Sequence, residues 1–133
     1  MYHFSVKLKD DFDAAIKRVT EALLNEKFGI LNEINVDAVL KKKLDVDMPH
    51  YRILGACSPS YAHRLVSEDA DIGALLPCNI LVREEADKTT TVVFLDPVAV
   101  FGLSPNPKVT QIAGEAKVPL MRVRDALESG SNG

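Results

Sequence analysis

From Tyr2 to Leu8 the chain alternates, with Tyr2, Phe4, Val6 and Leu8 on one side and His3, Ser5 and Lys7 on the other. That is the two-residue period of a half-buried strand. The period then lengthens. Phe12, Ala15, Ile16, Val19, Ala22 and Leu23 recur at helical spacing behind Asp10 and Asp11, either of which supplies an N-cap, and Gly29 stands past the end. An amphipathic helix of about four turns is predicted. Strand character returns over residues 29–36 through Ile30, Leu31, Ile34 and Val36. Asp37 is then placed to cap a short helix bearing Val39, Leu40 and Leu44, with Lys41, Lys42 and Lys43 as its solvated face. Past the turn at Pro49, residues 51–57 predict a third strand, and Ser58-Pro59 pairs an N-cap with a proline at the first helical position. The helix so started should bury Ala62, Leu65 and Val66.

Residues 72–76 form an apolar linker stopped by Pro77, and residues 79–85 and 89–95 predict a hairpin across Ala86-Asp87-Lys88. Asp96-Pro97 ends it, and the apolar but interrupted residues 98–103 fit a loop or a short strand. Asn106-Pro107 repeats the cap logic for a last helix, whose stripe runs through Val109, Ile112, Ala113, Ala116, Leu120, Val123 and Leu127. Pro119 removes a backbone bond inside it, which predicts a kink or a break. Residues 129–133, small and polar, read as a flexible tail. This order predicts one α+β domain over residues 1–128, a single antiparallel sheet of four to five strands with helices packed on one face.

Composition narrows the partners. A chain of 133 residues can bury about two-thirds of its unfolded surface without staples. A net charge of -3, with no basic cluster beyond the three lysines, offers no footprint for a phosphate backbone, so no nucleic-acid partner is expected. No stretch approaches the ~20 apolar residues of a spanning helix, and the start lacks a signal-peptide run, so the expectation is a cytoplasmic protein without membrane association. In that compartment Cys57 and Cys78 are free thiols, metal ligands or redox partners rather than a structural bridge. No nucleophile elbow, P-loop, dinucleotide fingerprint or H-E-x-x-H occurs, and no cofactor is predicted.

Candidate chemistry gathers around the cysteines. Cys57 ends the third strand just before Ser58, where free N–H groups and the helix dipole favour a thiolate, whereas small buried apolar residues are the plainer reading of both cysteines. His63 lies in the following helix within reach of the thiol side, or is simply exposed. The Ser58-Pro59 helix start could receive an anion, with Arg52 as a second contact or as an ordinary surface arginine. Asn79 follows Pro77-Cys78, a strand-opening turn whose asparagine can bond neighbouring backbone. A metal site needs a third ligand, and His3, His50 and His63 make no zinc spacing with these cysteines.

The blocks Tyr51-Arg52-Ile53-Leu54-Gly55-Ala56-Cys57-Ser58-Pro59 and Leu75-Leu76-Pro77-Cys78-Asn79-Ile80-Leu81-Val82 resemble the signature of the bacterial and archaeal family called Domain of Unknown Function 302. Phe28-Gly29-Ile30-Leu31 and the hairpin ending in Asp96-Pro97 extend the likeness up to about Asn106, and Pro119 departs from it. The resemblance implies a TATA-box-binding-protein-like fold and a homodimer, and no activity. DNA binding does not come with the fold label, since function belongs to the site. The leading expectation is a dimeric module that binds a small apolar or anionic ligand. The alternatives are a thiol-dependent redox or metal-associated protein using Cys57 and Cys78, and a purely structural interaction domain.

Overall fold

In the computed structural model, which describes residues 1–131, the alternating start forms β1 (His3–Leu8) and the first helical stretch forms α1 (Phe12–Asn25). Next come β2 (Gly29–Asn35), α2 (Val36–Leu44), β3 (Tyr51–Cys57) and α3 (Pro59–Glu68). A short 3-10 turn (Ile72–Leu75) leads to β4 (Cys78–Glu84), β5 (Thr90–Leu95), α4 (Pro97–Phe101) and α5 (Pro107–Ser131). The five strands make one antiparallel sheet in the order β1-β5-β4-β3-β2, so the first strand joins the last and β1 and β2 are the two edges.

Side-chain alternation splits this sheet into two faces. Val6, Leu8, Leu54, Ala56, Ile80, Val82, Val92 and Phe94 point to the helices, where Ala15, Val19 and Leu23 of α1 and Leu120, Val123 and Leu127 of α5 cover them. Phe4 stacks on Phe94, its register partner, with ring centroids 5.1 Å apart. Burying each such large side chain contributes about 1.5–3 kcal/mol, which is why this face fixes the register. A second apolar cluster, with Leu65, Ile72, Cys78, Phe101, Val109 and Ile112, lies where α3, α4 and the first half of α5 meet. Arg18 links the helices, its Nη1 donating to Asp10 (2.7 Å) and its Nη2 to the carbonyl of Leu127 (2.8 Å).

Local details depart from the sequence expectations for identifiable reasons. Residues 97–101 are helical rather than loop or strand, because Asp96 accepts from the N–H of Val98 (2.9 Å) and Pro97 occupies the first turn. α2 starts behind Asn35, not Asp37; the Asp37 carboxylate instead accepts from the N–H of Tyr51 (3.1 Å) and meets His50 Nδ1 at 3.3 Å. In α3 only Leu65 is fully buried, while Val66 faces solvent. α5 is unbroken through Pro119, since apolar residues on both sides of it, from Ala113 to Val123, are held in the core. The helix also continues to Ser131, so residues 129–131 are helical where a flexible tail was expected; the last two residues of that expected tail, Asn132 and Gly133, lie outside the described residues.

Candidate functional site

The cysteine blocks meet across β3 and β4. Ala56 pairs with Cys78, which puts Cys57 one residue along from it, and both thiols are free. Phe28, Ala56, Tyr61, Leu65 and Phe101 join Cys57, Ser58 and Cys78 around an apolar cavity of about 20 Å3 under α3, space for one small molecule of water size. Burial raises the Cys57 thiol above its ordinary value and pushes Cys78 up to about 12, with the neighbouring Cys57 adding to the second shift. Desolvation raises both groups, so both are neutral thiols at physiological pH.

The other proposed members of that cluster are dispersed. His63 is exposed on α3 and lines a shallow cleft with Ser67, Lys108 and Gln111, away from the thiol cavity. Arg52 lies over the Phe12 ring at 5.1 Å and donates to Asn35, so it does not reach the α3 start as a second anion contact. Ser58 is the N-cap by position, yet its hydroxyl makes no capping bond. Among the described residues no group of three or more His, Cys, Asp or Glu side chains is arranged to hold a metal ion.

Asn79 belongs to a different place, the sheet face opposite the helices. There Ile53, Leu81 and Val93 are register partners in one row across β3, β4 and β5, and Leu95 lies beside them. These four apolar side chains floor an open cleft of about 410 Å3. Its rim is polar, formed by Tyr2, His3, Tyr51, Asn79 and Arg83. Arg83 is held by Glu85, which also accepts from the Thr91 hydroxyl (2.8 Å). That hydroxyl, more than the Arg83 charge, keeps Glu85 below the usual carboxylate range. At the β1 end, His3 Nδ1 is buried with no hydrogen-bond partner, the single such side-chain nitrogen or oxygen among the described residues.

Of the candidate residues read from sequence, only Asn79 lines this cleft; His3, Tyr51, Leu81, Arg83 and Val93 were missed as site residues. A signal for them exists in the chain. Ile53-Leu54, Ile80-Leu81-Val82 and Val92-Val93-Phe94 are unbroken apolar runs, which in a strand require both faces to be apolar. Helices cover one face only, so the second set is left over as a surface of its own.

A family model described as domain of unknown function DUF302 matches residues 4–127. The chain is also similar to the crystal structure of an uncharacterized conserved DUF302 protein from Bacillus stearothermophilus, with 29% identity, 96% of this chain and 98% of that one covered, and a TM-score of 0.88. No curated protein matches the chain.

Proposed function

The chain belongs to the DUF302 family, and from that premise we propose that it is a homodimeric, cytoplasmic binding module whose open sheet face takes a small amphipathic ligand. The apolar body of the ligand lies on Ile53, Leu81, Val93 and Leu95, and its polar or anionic end meets Arg83, Tyr51 and Asn79. One observation carries this reading. The cleft has the volume of a small-molecule site, an apolar floor and a few convergent polar groups, and it is the only face of the sheet that the described helices leave uncovered. An orphaned ring nitrogen at its end, on His3, is a further mark of a site rather than of plain surface.

Support for the dimer comes from elsewhere on the molecule. Leu31 on edge strand β2, Val39 and Leu44 on α2, and Val46 just beyond are all large, apolar and exposed, and α2 buries none of its side chains. Such residues suit a second copy better than water. The free thiols and the lack, among the described residues, of any helix long and apolar enough to cross a membrane accord with a cytoplasmic place.

The thiol-dependent alternative draws on the shared cavity of Cys57 and Cys78. It ranks second because burial protonates both groups, and a thiol rather than a thiolate is a poor nucleophile and metal ligand.

Native mass spectrometry of freshly purified full-length protein tests the leading reading. A dimer that retains a small molecule is expected, and Leu81→Glu should keep the dimer and lose the molecule, since it places a charge in the middle of the apolar floor. A ligand-free monomer, or Leu81→Glu retaining the molecule as well as the parent does, overturns it.

A further inference from the structure

The polar groups around the open sheet face stand on two sides of its apolar floor, and on different strands. Tyr51 and Asn79 belong to β3 and β4, whereas His3 belongs to β1. β5 runs between them and gives the cleft only Val93 and Leu95. The register fixes the spacing. His3 pairs with Leu95, and Leu95 also flanks Asn79, because Ile80 next to Asn79 pairs with Phe94. One row across the sheet therefore runs polar, apolar, polar, and two inter-strand spacings separate Asn79 from His3 by about 10 Å.

Arg83 is occupied by Glu85, but the Tyr51 hydroxyl and the Asn79 amide make no hydrogen bond to any described residue. His3 is more particular. Its Nδ1 is buried with no partner, and its ring is held edge-on to Tyr2 with the centroids 4.5 Å apart. In a neutral imidazole one nitrogen carries a hydrogen and the other accepts. A hydrogen on Nδ1 would be a buried donor without an acceptor, which costs the full desolvation of that group. The hydrogen therefore belongs on Nε2, which is neither buried nor bonded to a described residue and is open to the cleft.

We propose that the ligand of this face is polar at both ends: besides the head that meets Tyr51 and Asn79, it carries a hydrogen-bond acceptor across an apolar middle, and His3 Nε2 donates to that acceptor. Val93 and Leu95 take the middle. The class is that of hydroxy- or oxo-acids and similar two-ended compounds spanning about 10 Å, and His3 selects them over one-headed amphiphiles. This inference rests on the open sheet face being a ligand site, and adds to it the chemistry of the ligand's far end.

Amide NMR titrations of the full chain with octanoate, ω-hydroxyoctanoate and the shorter ω-hydroxybutanoate test it. ω-Hydroxyoctanoate should saturate with shifts on both sides of β5, at Asn79 and at His3, and bind about fivefold tighter than either other probe, the usual effect of one net hydrogen bond. His3→Phe keeps a ring and removes the orphaned nitrogen, so it should abolish the preference and leave octanoate affinity unchanged; His3→Gln keeps an N–H donor and should retain part of it. Nitrogen NMR of the His3 ring at mildly alkaline pH should place the hydrogen on Nε2. Equal binding of octanoate and ω-hydroxyoctanoate, a preference that survives His3→Phe, or a hydrogen on Nδ1 overturns this inference and leaves the ligand site standing. Failure of all three probes to saturate also overturns it, while the site itself is decided by the retained molecule in native mass spectrometry. A Leu81→Glu protein that sediments as a monomer beside a dimeric parent would put a second copy of the chain on this face and overturn both.

Discussion

Gly55 shows how much one residue's lack of a side chain can decide. It sits buried in β3 with Asn32 of β2 lying across it, and a Cβ built there would come within 1.8 Å of Asn32 Oδ1 and 2.8 Å of Pro77 Cγ. The amide can swing away, but the proline ring before β4 cannot, so Gly55→Ala should cost about 1–3 kcal/mol, the usual range for overpacking. Urea unfolding measures this, and the double variant Gly55→Ala/Asn32→Ala should recover only part of the loss. Full recovery would mean that Pro77 yields. The sequence displays the glycine, yet not the two neighbours that demand it, since Asn32 and Pro77 reach it only through the β2-β3-β4 pairing.

Elements were legible in the chain wherever a period was long and capped. β1, α1, β3 and the β4-β5 hairpin match the alternation and helical spacing within a residue or two. α4 was not legible, because five residues are too few to show a helical period. Its signal was instead Asp96-Pro97, the same acceptor-then-proline pair that opens α3 and α5. Asp96 also receives Lys117 of α5 at 2.8 Å, so one carboxylate caps one helix and ties down another. Burial by itself would raise the Asp96 pKa, but the Lys117 bond and the N–H groups of Val98 and Ala99 outweigh it and hold the group below the ordinary value. Replacing it by alanine should destabilise the protein by about 1–2 kcal/mol in urea. A depressed carboxylate contributes stability above its unfolded pKa and loses it as pH falls through the folded one, so the gap between parent and Asp96→Ala should close in acid.

At the scale of the whole molecule, the sequence indicates an antiparallel sheet under helices but not which strands are neighbours. For that reason it could not say that Cys57 and Cys78 share a cavity, or that His63 and Arg52 stay apart from them. The buried thiol leaves a global trace. Cys78 is pushed up to about 12 from an unfolded value of 9.0, so the folded protein holds its proton more tightly than the unfolded chain does. The resulting stability is complete below pH 9 and is lost as pH rises towards 12. Urea midpoints compared at neutral and strongly alkaline pH should therefore fall more steeply for the parent than for Cys78→Ala, and parallel slopes would remove the thiol as the cause.

The pairing of β1 with β5 bears on the order of events at the ribosome. Residues 3–8 are made before the other strands of the sheet, but the strand they pair with is residues 90–95, so β1 waits without its strand partner while the intervening chain is made. The β4-β5 hairpin, local and self-contained, is the natural template on which that waiting strand closes the sheet.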